Sequence, residues 1–204
     1  MSPGATFERV YGEIKRMLVE GELPPGTAIE PAVIGKEIAA SITPVRDALH
    51  RLTGERLVEA PNHNGFRVPI PSEAALRDLY HWNGLVLGLA AKRVAPDSER
   101  GVVEDGGTGS DIVGSTAALL LSVAHVAGSV ELAIAVRSLN DRLATARRAE
   151  VATLPAMSDE LSGLAVIVAS RDRTALAGAL TRYHRRRIGA VAAIVAHLTH
   201  DPFR

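Results

Sequence analysis

Six apolar residues near the start of the chain recur three or four positions apart, with charged residues between them: Phe7, Val10, Tyr11, Ile14, Met17 and Leu18. This spacing predicts an amphipathic helix that ends at Gly21. The segment Leu23-Pro24-Pro25-Gly26 cannot continue the helix, because proline lacks the amide donor and restricts the residue before it.

Two short helices joined by a tight turn are predicted next. The first runs from Pro31 to Ala39 and turns three apolar side chains inward: Val33, Ile34 and Ile38. The second begins at Ser41-Ile42-Thr43-Pro44, where two hydroxyls can cap the helix. Its inner stripe consists of Val45, Ala48, Leu49 and Leu52, so Arg46 faces outward. This pair fits the helix-turn-helix plan, whose second helix enters the major groove of DNA.

A hairpin is predicted after the second of these helices. The segments 57–60 and 66–70 flank an Asn64-Gly65 pair, which is typical of a tight turn between two short strands. In a helix-turn-helix domain such a hairpin is the wing.

From Ser72 onward the pattern is helical. A helix capped by Ser72 is expected to run to about Val94, on a repeat of Ala75, Leu76, Leu79, Leu85, Val86 and Leu89. The polar residues 95–111 interrupt it, and their glycines lack the preceding strand of a phosphate-binding loop. Further helices are expected at residues 112–127, 130–150, 158–170 and 172–199. The predicted fold is mainly α: a winged helix-turn-helix at residues 1–70 and an antiparallel all-helical bundle at residues 71–204.

Composition narrows the function classes. The chain has no cysteine, which excludes disulfides and thiolate sites, and its formal net charge is zero. Residues 1–70 hold eight Lys and Arg against nine Asp and Glu, so any affinity for DNA must come from local placement. Neither a run of about 20 apolar residues nor a signal sequence is evident, so we expect a cytoplasmic protein that contacts no membrane.

The N-terminal pattern resembles the DNA-binding domain of the GntR family of transcription regulators. The matching elements occur in order: Leu23-Pro24-Pro25-Gly26-Thr27, Thr43-Pro44-Val45-Arg46-Asp47-Ala48-Leu49, Arg51-Leu52, Leu57-Val58 and Asn64-Gly65. The resemblance implies a homodimer that binds double-stranded operator DNA, with Arg46 reading bases. The plainer role for Arg46 is a surface ion pair with Asp47 or Glu55.

The sequence departs from the family at two arginine positions, which are Ala32 and Ile42 here. We therefore expect Lys36, His63 or Arg67 to carry more of the DNA contact. The residues predicted to contact DNA are Lys36, Ser41, Thr43, Pro44, Arg46, His63, Asn64, Gly65 and Arg67.

The helical region is similar to the FCD branch of this family, whose bundle dimerises and binds small carboxylate effectors, commonly through a metal. The four metal positions correspond to Thr116, Leu120, Leu161 and Tyr183, which are not a plausible ligand set, so we expect no metal and no cofactor. His184 lies one residue further on and should point away from that site. The predicted effector-binding residues, for an organic acid or an apolar metabolite, are Asn83, Thr116, Leu120, Tyr183, Arg182 and Arg186.

Two alternatives stay open. The basic run at residues 182–187 could bind an effector carboxylate, extend the contacts with DNA phosphates, or simply be a solvated face. Without an effector, the protein would be an effector-independent DNA-binding regulator. An enzyme with a helical catalytic domain is the other alternative, but no nucleophile turn, zinc-binding helix motif or carboxylate cluster favours it. Five histidines of the helical region are too dispersed to predict a metal site: His81, His125, His184, His197 and His200.

Overall fold

The structure is a computed structural model that describes residues 3–61, 65–94 and 111–200. Contacts divide the chain into two compact units, Met1–Ile70 and Pro71–Arg204. Each unit buries apolar residues of its own. Among the described residues, no helix is both long and apolar enough to cross a membrane.

The described part of the first unit consists of three helices and two short strands: α1 (Pro3–Glu20), β1 (Ala28–Ile29), α2 (Pro31–Glu37), α3 (Ile42–Gly54) and β2 (Phe66–Arg67). Helix α1 packs on α3 through residues that have no solvent exposure, including Val10, Ile14, Val45 and Leu49. The apolar spacing of these helices therefore buries the stripes that the sequence predicts, with one exception. Val33 of α2 is 55% exposed. The prediction that it faces inward is wrong, because the short helix buries only the face of Ile34 and Ile38.

Strand β2 has a neighbour on each side. Ala28 and Ile29 of β1 pair antiparallel with Arg67 and Phe66. On the other side, the backbones of Glu59 and Arg67 exchange two hydrogen bonds of 2.8 and 2.9 Å. The sequence pattern indicates pairing between the 57–60 and 66–70 segments but misses β1, because a two-residue strand shows no alternation of apolar and polar positions.

The described part of the second unit contains five helices: α4 (Glu73–Arg93), α5 (Ile112–Val126), α6 (Val130–Thr153), α7 (Met157–Ser170) and α8 (Arg173–His200). Their bounds agree with the predicted ranges, and the main difference is that α6 continues to Thr153. Ser72 caps α4 as predicted, since its hydroxyl accepts a hydrogen bond from the amide of Ala75.

Helix α4 forms over the predicted range and has apolar residues on two faces. Its core side chains include Leu76, Tyr80, Val86 and Leu87, which pack against α5, α6 and α8. Ala75, Leu85 and Leu89 are exposed instead, and with Trp82 the two leucines form an outward apolar stripe. The apolar repeat thus predicts the helix, but spacing alone does not say which of its residues are buried: Leu76 and Val86 are, and Leu85 and Leu89 are not.

Candidate DNA-binding interface and polar core of the helical unit

Gly35 sets the turn between α2 and α3. A Cβ atom at this position would lie 2.8 Å from the carbonyl oxygen of Ala40, which is closer than real contacts allow. With no side chain in the way, the amide of Ala40 donates to the carbonyl of Gly35 at 2.8 Å. Ala39 bridges the helices with a positive φ of 50°. Sequence reasoning missed Gly35, although a glycine near the end of a predicted helix is a signal for such close packing.

The N-terminal end of α3 is open to solvent. Ser41 occupies the N-cap position with an extended backbone, φ −76° and ψ 162°, but its hydroxyl accepts no capping hydrogen bond. The predicted side-chain cap is therefore absent; water satisfies an exposed helix end equally well. Thr43 is also exposed and Pro44 is half-buried. This end of α3 thus keeps amide donors that are available to an outside acceptor.

Arg46 lies one turn into α3 and is exposed. It has no hydrogen bond or ion pair with any residue in the described ranges. The carboxylate of Glu55, considered above as its partner, instead accepts from Lys15 at 3.0 Å and from the Tyr11 hydroxyl at 2.7 Å. Lys36, in the last turn of α2, is exposed as well. The structure therefore leaves both cations available at the surface of the helix pair.

Arg51 also lies on α3, but its side chain contacts helix α1 of the same unit. Its guanidinium carbon lies 4.0 Å from the centroid of the Tyr11 ring, and Nη1 donates to Glu8 at 3.1 Å. These contacts tie α3 to α1. They stabilise the orientation of α3.

Arg67 is the exposed member of β2, between the buried residues Phe66 and Val68. The Phe66 ring meets His50 of α3 edge-on, with ring centroids 5.0 Å apart, which connects the strand to α3. Gly65, just before β2, has a φ of +86°. His63 and Asn64 lie outside the described residues.

The four positions that the resemblance to the FCD branch aligns with metal ligands lie on three helices of the second unit. The Thr116 hydroxyl donates to the carbonyl of Ile112 at 2.7 Å, and Leu120 is fully buried. Leu161 is half-buried on α7. Tyr183 is 4% exposed, its hydroxyl has no hydrogen-bond partner among the described residues, and burial raises its pKa. Within the described ranges, no three His, Cys, Asp or Glu side chains cluster in a way that could hold a metal.

His184 points at α4. Its Nε2 lies 2.8 Å from Oδ1 of Asn83, and its Nδ1 lies 2.7 Å from the carbonyl oxygen of Leu180. Burial, together with the nearby charges of Arg187 and Arg147, lowers the pKa of His184 to about 4. The hydrogen bond with Leu180 acts in the opposite direction. A neutral imidazole has a single N–H, which Leu180 requires, so Nε2 must accept. The Asn83 amide supplies the matching donor when its NH2 group is turned toward Nε2.

A buried ion pair joins α6 to α8. Nε of Arg187, 1% exposed, lies 2.9 Å from Oε2 of the fully buried Glu150. Its Nη1 is 2.9 Å from Glu160 of α7, and its guanidinium lies over the Tyr183 ring, 3.3 Å from the centroid. Glu150 also accepts from the Tyr80 hydroxyl. The arginines at residues 182–187 therefore do not share one role. Arg187 is part of the core, so the run as a whole is neither a solvated face nor an effector-binding site.

A second guanidinium, that of Arg147 on α6, is equally buried at 1% exposure. Its Nη2 donates to Oδ1 of Asn140 at 2.9 Å, and the Asn140 amide donates to the carbonyl of Ala117 on α5 at 2.8 Å. Nε and Nη1 have no acceptor among the described residues. Sequence reasoning missed Arg147, because an arginine in a predicted helix is ordinarily a surface residue.

Arg182 and Arg186 differ in availability. Arg182 is exposed and lines a groove of about 200 Å³ between α7 and α8, together with Asp159, Glu160 and Tyr183. Arg186 is paired with Glu160 at 3.2 Å and donates to the carbonyl of Pro155. Of the two arginines, only Arg182 faces this groove.

Residues 6–68 match the family model of bacterial regulatory proteins of the gntR family. The N-terminal unit is therefore similar to the domain that this model describes, and we refer to the matched residues 6–68 as the GntR-family domain. The HTH-type transcriptional repressor GlaR of Escherichia coli (strain K12) is 28% identical over 97 residues, which are 46% of this chain and 44% of the repressor. The matched segment thus spans less than half the length of that curated relative.

Solved structures extend the likeness beyond the GntR-family domain. A putative transcriptional regulator GntR from Rhodococcus sp. RHA1 has a TM-score of 0.76 at 17% identity, covering 94% of this chain and 98% of that one. McbR/YncC of E. coli has a TM-score of 0.65 at 16% identity, covering 92% and 97%. At these identities the likeness shows a shared fold.

The GntR-family domain exposes apolar side chains on both α2 and α3. Ile42, in the first turn of α3, is 50% exposed, and Ala32 and Val33 of α2 are exposed as well. Two of these, Ala32 and Ile42, are the positions where the sequence departs from the family's arginines.

Proposed function

We propose that this chain is a DNA-binding transcription regulator that recognises an operator through α3 of its GntR-family domain. One observation carries the proposal: the family match covers the unit in which Arg46 is exposed at the start of α3 with no partner among the described residues. An arginine at this place can donate two hydrogen bonds to guanine in the major groove. The uncapped helix end beside it, with Ser41, Thr43 and Pro44, suits a backbone phosphate.

The exposed apolar residues suggest an operator sequence that differs from the one the resembling family commonly binds. Ile42 has a side chain that contacts a thymine methyl group well and cannot donate to a phosphate or a base. Lys36 can supply a phosphate contact in its place. We therefore expect the operator to have a thymine opposite Ile42, where an arginine would instead contact a base or a phosphate.

Residues 57–68 are proposed to act as the wing. The Glu59 and Arg67 pairing and the exposed Arg67 side chain support this role, because a basic side chain on a hairpin edge can reach the DNA backbone. Gly65 would allow the tip of the hairpin to approach a phosphate closely. The predicted contacts of His63 and Asn64 belong to the same tip.

The helical unit is proposed to be an FCD-type domain that dimerises and binds an effector. The exposed stripe of Trp82, Leu85 and Leu89 on α4 supports self-association, because three large apolar side chains on one face are 50%, 62% and 53% exposed. A two-fold dimer would present two α3 helices to a pseudo-palindromic operator. The effector would act by preferring one dimer geometry over the other.

The residues of this chain at the four positions that hold a metal in the resembling family are not suitable metal ligands. Leu120 and Leu161 have no donor atom, and Thr116 already uses its hydroxyl within α5. Tyr183 would have to lose a proton that burial holds more firmly than usual. We propose that effector binding in this chain proceeds without a metal, through the remaining predicted residues Asn83, Tyr183 and Arg182.

Selection of binding sites from a pool of random duplexes tests the proposal. We expect the full-length chain to enrich a pseudo-palindrome whose half-sites lie about one helical turn of DNA apart. The Arg46→Ala variant is the matched control and should not enrich the same sequence. Binding that falls steeply with salt but enriches no sequence would contradict the proposal, because it would be nonspecific attraction to phosphates.

A further inference from the structure

We propose that Arg9 of α1 is a positioning residue for operator binding, because it holds the turn between α2 and α3. Its guanidinium group spans two successive carbonyl groups of this turn. Nη1 donates to the carbonyl of Ile38 at 3.0 Å, and Nη2 donates to the carbonyl of Ala39 at 3.3 Å. The inference deepens the proposed function and rests on it, since Arg9 sets the placement of α3 without contacting DNA itself.

The turn needs support from outside because its backbone is strained. Ala39 has a φ of 50°, in the left-handed region that favours glycine over any residue with a Cβ atom. Such a conformation persists only where the surrounding contacts fix it. The hydrogen bond from the amide of Ala40 to the carbonyl of Gly35 closes the turn on α2. The two hydrogen bonds from Arg9 attach the turn to α1.

Helix α2 depends on its neighbours for its direction. It is seven residues long, its buried residues are Ile34 and Gly35, and it packs mainly on α3. A helix of two turns is not stable by itself. Helix α1, in contrast, shares the core with α3 through side chains without solvent exposure, including Val10 and Ile14. Arg9 therefore ties the end of the short helix to the pair of helices that forms this core.

An arginine suits this role better than a lysine does. The guanidinium group is planar and its donors form a fixed fork, so two N–H groups can reach two acceptors at once. Carbonyl groups at the end of a helix lack donors within the helix and carry partial negative charge, which favours a cation there. A lysine at position 9 would keep the charge but would not hold both carbonyls in one geometry. Arg9 is exposed, so a direct contact with a DNA phosphate is the competing role.

The turn lies directly before the end of α3 that is proposed to enter the major groove. Ser41, the N-cap residue of α3, follows Ala39 by two positions, and Arg46 lies one turn into the helix. Hydrogen bonds to bases depend strongly on direction, whereas phosphate contacts carry no sequence information. A displaced end of α3 would therefore lower the specificity of binding more than the general attraction to DNA.

Fluorescence anisotropy with the selected operator and a scrambled duplex, at one salt concentration, tests the inference on the full-length chain. Arg9→Lys keeps the charge and should lower the affinity for the operator about tenfold, which corresponds to one hydrogen bond to a charged group. The affinity for the scrambled duplex should change little. Arg9→Met should lose at least as much operator affinity. Arg77→Met, at an exposed position of α4, is the matched control and should leave both affinities unaltered.

Two double variants separate positioning from general stability. In the Arg46→Ala background, Arg9→Met should cost less operator affinity than in the wild type, because the contact that Arg9 positions is already missing. Ala39→Gly relieves the backbone, so it should raise the Tm and restore part of the operator affinity of Arg9→Met. Circular dichroism should show the helix content of the wild type in each variant.

Two results would overturn the inference. Full operator affinity in Arg9→Lys, with equal losses for both duplexes in Arg9→Met, would show that Arg9 contacts a phosphate. A lowered Tm for Arg9→Met with an unchanged ratio of the two affinities would give Arg9 a purely structural role. The proposed function is tested separately by the wild type: a wild type that prefers no duplex removes the function, whereas a specific wild type beside an equally specific Arg9→Met removes only this inference.

Discussion

His184 and Asn83 meet in the interior of the helical unit, with 2.8 Å between Nε2 and Oδ1, and they join α8 to α4. The histidine is held neutral there, because burial lowers its pKa to about 4 from the usual 6.5. In the unfolded chain it takes up a proton near pH 6.5, so the folded state is favoured above that pH. This stability is lost as the pH falls from about 6.5 to about 4.

Lowering the pH from 7 to 5 should therefore decrease the free energy of unfolding of the helical unit by about 2 kcal/mol through His184 alone. Urea unfolding followed by the fluorescence of Trp82, the single tryptophan, measures this unit. His184→Gln should lose less stability over the same range. His125→Gln, at an exposed position of α5, should behave as the wild type. An equal loss in His184→Gln and the wild type would show that other groups cause the pH dependence.

Two glycines of α4 should respond differently to alanine. A Cβ at Gly84 would lie 3.2 Å from Cγ of His184, whereas a Cβ at Gly88 would meet nothing within 4 Å. Alanine in an open helical position adds about 1 kcal/mol of stability, so Gly88→Ala should raise the Tm. The free energy of unfolding of Gly84→Ala should be lower than that of Gly88→Ala by about 1 kcal/mol or more. The added methyl group would press on the His184 ring, which two hydrogen bonds hold in place. Equal gains would mean that the His184 ring moves freely.

Arg46→Ala should weaken specific operator binding by about 1 to 3 kcal/mol, because the arginine is expected to pair with guanine. Fluorescence anisotropy with operator and scrambled duplexes at one salt concentration gives the specificity ratio. Arg77→Ala, an exposed arginine of α4, changes the charge equally and should leave the ratio unaltered. If Arg46→Ala also leaves it unaltered, Arg46 does not read bases.

Gly65→Val should lower operator affinity about tenfold while the helical unit stays folded. The φ of +86° at Gly65 is unfavourable for any residue with a Cβ and worst for a β-branched one. Gly65→Asn should lose less, since asparagine tolerates positive φ better. Circular dichroism confirms that the variants keep their helices. Undiminished affinity in Gly65→Val would remove the proposed wing from the contact surface.

Helix positions could be predicted because the apolar spacing in both units repeats over many turns. Strand β1 could not, since two residues contain no period. The buried face of α4 could not be predicted either. Trp82, Leu85 and Leu89 form as regular a stripe as the residues that are buried, and the difference between the stripes depends on which neighbours pack against them.

The polar core of the helical unit was harder to predict than its helices. Arg147, Glu150 and Arg187 are charged, and in a sequence such residues indicate an exposed face. Their burial depends on partners 37 residues apart, as with Glu150 and Arg187. No local pattern encodes that pairing. The predicted effector residues Asn83 and Tyr183 were identified through the family resemblance, whereas Arg147 became evident only from its surroundings.

The Glu150 and Arg187 pair constrains how this chain can change over generations. Losing either partner leaves a buried charge and costs about 3 to 5 kcal/mol, whereas exchanging both for apolar residues of similar size is often neutral. Descendants of this sequence should therefore keep both residues or replace both. A relative with an apolar residue at one position and a charge at the other would have to carry a compensating change at Tyr80 or Glu160, the two side chains that share these hydrogen bonds.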